Sequence, residues 1–131
     1  MIGFVMVGTN DLDKAIKFYD ILLDAIDLKR VITNEKYAGY SSKKNPKEIE
    51  FYVTNPVDKK KATYGNGTQI SFAVKSKETV DKFYNIGIKL GGKDEGAPGI
   101  RSGDYYCYIR DLDENKICSF AKIDNKYALN S

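Results

Sequence analysis

Histidine and tryptophan are missing from this chain of 131 residues, and cysteine, methionine and proline are scarce at two, two and three. Each shortage excludes something. Without histidine no side chain has an ordinary pKa suited to proton shuttling near neutrality, so a general acid or base would have to be a shifted group. The commonest metal ligand is gone with it. Two cysteines exclude a disulfide-stapled scaffold, and in a chain read as unsecreted Cys107 and Cys118 are expected to be free buried thiols. No apolar run approaches a membrane span. Ile2 to Val7 is too short for a signal-peptide core and leads into Asn10, Asp11 and Asp13 rather than a cleavage site, so the expected location is the cytoplasm. The net charge of +3, from 21 basic and 18 acidic residues, is small and interspersed. Lys59-Lys60-Lys61 is the one basic run, and Asp58 beside it favours a solvated loop, so neither nucleic acid nor membrane is an expected partner.

What remains is ordinary globular material: 42% hydrophobic and 30% charged residues, in a length that fits one domain with one sizeable core. The pattern along it repeats. Ile2 to Thr9 is β-rich, and Asn10 with Asp13 three positions on is suited to cap a helix over about Asp11 to Asp24. Leu12, Ala15, Ile16, Tyr19, Leu22, Leu23 and Ile26 give that helix one apolar stripe. Leu28 to Thr33, Tyr37 to Ser42 and Glu48 to Thr54 read as three strands. Asn55 to Gly65 has no periodicity and is a linker. The stretch from Asn66 to Val74 is a strand launched from an Asn-Gly turn, with Gln69 near its middle. Ser76 caps a second helix with the stripe Val80, Phe83, Gly87 and Leu90, ended by Gly91-Gly92. Lys93 to Ala97, Gly103 to Arg110 and Lys116 to Ile123 are the last strands.

Both halves are thus β-α-β-β-β: module one over 1–54, linker 55–65, module two 66–123 and a tail 124–131. Lys17-Phe18-Tyr19 recurs as Lys82-Phe83-Tyr84 at an offset of about 65, which also carries Phe4 onto Gln69, while an offset of about 68 carries Glu50 onto Cys118. Two modules, each with one sheet face covered by its helix, can pair so that the other faces curve around a shared cavity. Phe4 with Gln69, and Glu50 with Cys118, would line its centre.

The chain resembles the glyoxalase, bleomycin-resistance and extradiol-dioxygenase superfamily, often called vicinal oxygen chelate. The likeness rests on Gly8-Thr9-Asn10-Asp11-Leu12 with Ala15-Ile16-Lys17-Phe18-Tyr19, on Gly65 to Phe72, on Gly96-Ala97-Pro98-Gly99-Ile100-Arg101, and on Tyr105-Tyr106 followed by Arg110 to Ile117. It implies an α+β fold of two paired β-α-β-β-β modules, curved mixed sheets around a central cavity. In catalytic members a divalent metal there chelates vicinal oxygens of the substrate. The four ligand positions correspond to Phe4, Glu50, Gln69 and Cys118, where members with metal commonly show histidine or glutamate. A phenylalanine cannot ligate, a neutral amide is a weak ligand, and a carboxylate with a thiol is a mismatched pair. The expectation is therefore a degenerate metal site, no cofactor, and a cavity that binds a small, partly aromatic or amphipathic molecule. A metal-dependent lyase, isomerase or dioxygenase with an irregular ligand set around Glu50 is the alternative, and a filled cavity with an interaction role is a third. The resembled proteins often pair, which extends to this chain as an expected homodimer.

The cavity candidates are Phe4, Glu50, Gln69, Arg101, Tyr105, Tyr106 and Cys118. Glu50 reads either as a desolvated base or as a strand-surface carboxylate near Lys47. Cys118 reads as a core thiol, since no basic residue is obviously placed to activate it. On a strand Tyr106 and Tyr108 share one face, and Tyr105 takes the other with Cys107. Arg101, in a Gly-rich loop from Gly96 to Gly103, suits a ligand carboxylate or phosphate, or is a solvated charge. Asp111, Asp113 and Asn115 mimic the start of a calcium loop, but Lys116 stands where its glycine should be. Asn115 is the expected left-handed residue of that turn.

Overall fold

A computed structural model describes residues 1–123 of the chain, and the tail expected over 124–131 lies outside the described residues. Ten elements follow in order: β1 (Val5–Gly8), α1 (Leu12–Asp24), β2 (Leu28–Thr33), β3 (Tyr37–Ser42), β4 (Ile49–Thr54), β5 (Ile70–Ala73), α2 (Lys77–Lys89), β6 (Lys93–Arg101), β7 (Asp104–Arg110) and β8 (Lys116–Ala121). They form two four-stranded mixed sheets, ordered β1-β4-β3-β2 and β5-β8-β7-β6. In each the first strand runs parallel to the last, and the others are antiparallel. The duplicated α+β architecture read from the sequence is the architecture present.

The helices form where their stripes and caps predict. Asp11 caps α1 by accepting from the backbone N–H of Lys14, and Ser76 caps α2 by accepting from that of Thr79. Asn10, expected as the first cap, instead brackets the linker, accepting from the backbone N–H of Ala62 and donating to its carbonyl. Phe18 joins Ala15, Tyr19, Leu22 and Leu23 in the buried stripe of α1, while Val80, Phe83 and Gly87 form that of α2. A Cβ on Gly87 would stand 2.4 Å from Ile109 Cδ1, so glycine is what lets α2 lie close on β7. Past the helix Gly91 takes φ of 101° and Gly92 N–H returns to the carbonyl of Gly87, closing the end as expected.

The first and fifth strands are shorter than expected, β5 beginning only at Ile70, and other details differ. The Gly-rich stretch after α2 is strand rather than loop: β6 runs through to Arg101, broken by register shifts between Asp94 and Gly96 and between Gly96 and Gly99. Bulges absorb the glycines that looked like a loop. In the β7–β8 turn the left-handed residue is Glu114, not Asn115, whose amide is instead bonded to Asp111 and to the carbonyl of Gly8. In the first sheet the β3–β4 register shifts between Tyr40 and Ser41, adding one residue on β4.

One core serves both modules. It gathers Val7, Phe18, Tyr19, Leu22, Phe51 and Val53 of the first with Val80, Phe83, Cys107, Ile109 and Ile117 of the second. Phe51 and Phe72 meet edge-on at 5.4 Å, and Phe72 reaches Phe83 at 6.3 Å. These rings stand on the helix-covered faces, so each sheet keeps its opposite face outside the shared core. β1 and β5 are each an outer edge of their own sheet, and the described strands close no barrel.

Candidate functional site

Strand alternation sorts the expected site residues onto faces. On β4, Phe51 and Val53 enter the core and Tyr52 points out; on β8, Ile117 and Ser119 enter it and Cys118 lies on the outward face with Lys116 and Phe120. On β7, Cys107 faces α2 through its contact with the Val80 carbonyl, so Tyr106 and Tyr108 point out. Cys107 and Cys118 therefore lie on opposite faces, and both are free and buried.

The sheet registers correct one pairing. Val5 lies opposite Phe51 and Ile70 opposite Ile117, so an offset of 65 in the first strands corresponds to 66, not 68, in the last. The counterpart of Cys118 is then Tyr52, which pairs with Met6 as Cys118 pairs with Ser71. Glu50 lies two residues earlier on β4 and does not take that role. Glu50 is exposed and lines a groove of about 440 Å³ with Leu28, Ser42 and Lys44, facing Ser71, Phe72 and Ala73 of β5. The structure thus joins Glu50 to the second module without bringing it to Cys118.

Two clusters occupy the outward faces. On the first sheet Phe4, more than half exposed, packs edge-on against Tyr52 at 5.1 Å, and Tyr37 also meets Tyr52 edge-on at 5.6 Å. On the second, Tyr106 and Tyr108 stack at 6.1 Å and an interplanar angle of 3°, and Phe120 stacks on Tyr106 at 5.3 Å. Arg101 and Lys116 both stand over the Tyr108 ring, at 5.3 and 5.1 Å from its centroid. Gln69 lies just before β5, its amide donating to Ser71 Oγ. Tyr105 belongs to neither cluster. Its hydroxyl donates to Asp81 on α2, which raises its pKa, and Lys77 sits over its ring.

Of the residues expected by sequence, the second cluster takes Tyr106, Arg101 and Cys118, and the first takes Phe4. Tyr52, Tyr37, Lys116 and Phe120 were missed as site candidates. Their signal was the period of two: Lys116, Cys118 and Phe120 alternate on β8 as Tyr106 and Tyr108 do on β7.

The four positions equivalent to a metal set are Phe4, Tyr52, Gln69 and Cys118, and their chemistry does not fit a divalent cation. Phenylalanine has no lone pair, and Tyr52 would have to ionise. Gln69 offers only a neutral amide, a weak ligand, and burial pushes the Cys118 thiol up to about 11, with the Ser71 hydroxyl offsetting only part of that. Among the described residues no group of three or more histidine, cysteine, aspartate or glutamate side chains could hold an ion. Cys107 is raised by burial as well. Iodoacetamide at pH 8 is therefore expected to alkylate the native thiols on the order of a hundredfold more slowly than those of the urea-unfolded chain. Rapid labelling of native Cys118, read by mass spectrometry, would contradict that assignment.

Comparison with known proteins agrees with the architecture. The sequence profile described as Glyoxalase/Bleomycin resistance protein/Dioxygenase superfamily matches residues 1–118. No curated protein matches. Among solved structures, a glyoxalase/bleomycin resistance protein from Albidiferax ferrireducens T118 is 39% identical with a TM-score of 0.86, covering 94% of this chain and 99% of that one. A glyoxalase/bleomycin resistance protein/dioxygenase family enzyme from Burkholderia phytofirmans PsJN is 18% identical with a TM-score of 0.73, covering 92% and 98%. A lactoylglutathione lyase from Agrobacterium tumefaciens is 19% identical with a TM-score of 0.67, covering 92% of each chain. The last two show likeness of fold alone. With two β-α-β-β-β modules, the matched profile and a 39% identical relative over nearly its whole length, the chain belongs to the glyoxalase/bleomycin resistance protein/dioxygenase superfamily.

Proposed function

We propose that the protein is a metal-free, small-molecule-binding member of this superfamily that works as a homodimer. The observation that carries the reading is the composition of the outward sheet faces. They hold aromatic rings and cations where a metal set would need histidines and carboxylates, and they lie outside the core of their own chain. An exposed edge strand is a template for another chain. On β1 that edge carries Met6 at 47% exposure, next to Phe4 at 57% and Ile2 at 81%. Large apolar side chains grouped at a free edge favour association.

In the dimer β1 of one copy lies along β5 of the other, twice, so that the first sheet of each protomer faces the second sheet of its partner. Each of the two sites then has an aromatic wall from Phe4, Tyr37 and Tyr52 and another from Tyr106, Tyr108 and Phe120. Rings on both sides suit a flat or amphipathic ligand. The exposed Glu50 carboxylate plays no acid–base part in this reading.

The test combines elemental analysis with sedimentation. Purified protein is expected to carry well below stoichiometric zinc, nickel, manganese and iron and to sediment as a dimer. Met6→Lys, at a half-exposed position, should weaken dimerisation by at least tenfold without lowering the melting temperature of the monomer. One bound transition metal per chain would sink the metal-free reading. A monomer at micromolar concentration would sink the dimeric one.

A further inference from the structure

We infer that the ligand taken by the outward face of the second sheet is a flat aromatic carboxylate, with Lys116 and Arg101 receiving its negative charge and Tyr106, Tyr108 and Phe120 its ring. This rests on the reading of that face as a small-molecule site and names the class of molecule.

The arrangement of charge points to an anion. Two cations share one face of the sheet around a single tyrosine, with Arg101 Cζ 5.3 Å and Lys116 Nζ 5.1 Å from the Tyr108 centroid. The two charges are therefore no more than about 10 Å apart, and an anion on this face is attracted to both. Neither has a carboxylate partner among the described residues, although carboxylates are near at hand on the same sheet. Those carboxylates are otherwise engaged: Glu95 with Arg110, Glu114 with Lys93, and Asp94 with the backbone N–H of Gly96. Among the described residues the sheet thus pairs Lys93 and Arg110 with carboxylates and leaves the two cations beside the stacked rings without one.

Arg101 is also held in place. Its Nη1 donates to the Tyr106 carbonyl at 2.7 Å and its Nη2 to the Ala97 carbonyl at 2.7 Å, with a longer bond from Nη1 to the Gly99 carbonyl at 3.5 Å. A guanidinium has five N–H donors, so these bonds fix its plane and leave donors over for a ligand. The bulged β6 that carries the Ala97 and Gly99 carbonyls stands where the sequence led to the expectation of a Gly-rich loop. Gly96 completes the fit, since a Cβ there would stand 2.8 Å from the Tyr108 ring and 3.2 Å from Arg101 Nη2. Stacked rings spaced along β7 and β8 supply a flat apolar surface beside the charges, which selects an aromatic anion over a small inorganic one.

The experiment compares 2-naphthoate with its neutral isostere 2-naphthamide by isothermal titration calorimetry on the purified full chain. Naphthoate is expected to bind at least tenfold more tightly, and to weaken as salt is raised from 50 to 300 mM, on the order of threefold or more. Lys116→Met should cost about tenfold for naphthoate and less than twofold for naphthamide. The preference in the unaltered protein decides the matter even if that variant does not fold. Equal binding of the two probes, or equal losses in the variant, overturns the inference and leaves the small-molecule reading standing. Binding of neither probe overturns the inference too. The metal-free reading fails separately, on elemental analysis.

Discussion

Replacing Asp111 by alanine is expected to destabilise the protein by about 3–5 kcal/mol, measured by urea unfolding, and to loosen the junction between its two modules. Asp111 follows β7 and is 3% exposed. Its carboxylate accepts from the Tyr19 hydroxyl on α1, from the backbone N–H groups of Asp113 and Asn115, and from the Asn115 amide. Asn115 in turn donates to the Gly8 carbonyl at the end of β1, and Asp113 accepts from the backbone N–H of Asn10. Alanine would leave four donors without their acceptor, all of them in buried or half-buried residues, where each costs about 1–3 kcal/mol. Tyr19→Phe removes one donor and one bond together, and should cost only about 1 kcal/mol. Burial holds the Asp111 carboxyl above its ordinary range, against the pull of its donors. The native state then binds the proton more tightly than the unfolded chain. This group's contribution to stability accordingly falls as pH rises from about 3.9 through the native pKa, and Asp111→Asn removes that slope. A loss below 1 kcal/mol in Asp111→Ala would show that water replaces the carboxylate.

The contrast between what was legible in the sequence and what was not follows from the range of each interaction. Caps and stripes are set by neighbours within one turn, so α2 with Ser76, Val80, Phe83 and the closing glycines was readable as it stands. The duplication was readable for the same reason, because Lys17-Phe18-Tyr19 and Lys82-Phe83-Tyr84 sit at equal depth in two helices. The offset of the last strands was not, because nothing local in composition marks which residue of β4 stands opposite which residue of β1. Reading 68 for 66 moved the expected equivalence by two residues, from Tyr52 to Glu50. Arg101 shows the opposite error. Glycines and a proline spelled a loop, and only cross-strand pairing with β7 reveals a bulged strand whose carbonyls anchor the guanidinium.

The relation between the modules was the least legible feature. Pairing the sheets about a cavity and packing them through their helices use the same two amphipathic surfaces, and a sequence of alternating faces does not say which neighbour covers which. What decides it here is where the aromatic residues fall. Phe18, Tyr19, Tyr40, Phe51 and Phe83 lie fully inside on the helix side, while Phe4, Tyr37 and Tyr52 stay on the far side.

Phe51→Ala is expected to cost about 3–5 kcal/mol, comparable to Asp111→Ala, and to do so for both modules at once. Phe51 is fully buried and its ring lies 5.0 Å from Tyr19, 6.3 Å from Tyr40 and 5.4 Å from Phe72. The first two contacts belong to its own module and the third crosses to β5. Because Phe72 continues to Phe83 under α2, the cavity left by alanine opens where the aromatic cores join. A domain of this size has only about 5–15 kcal/mol of stability in total, so the variant should unfold at markedly lower urea while keeping a single transition. Phe72→Ala should cost less, since that ring is only half-buried. The double variant should fall short of the sum by about 0.5–1.5 kcal/mol, the coupling of an edge-on aromatic pair. Independent modules would give a different result: two transitions in Phe51→Ala, only the first displaced, and no coupling to Phe72. The shared core excludes that outcome, because Leu22 of α1 lies 3.6 Å from where a Cβ on Gly87 of α2 would stand, and helices this close cannot melt separately without exposing each other.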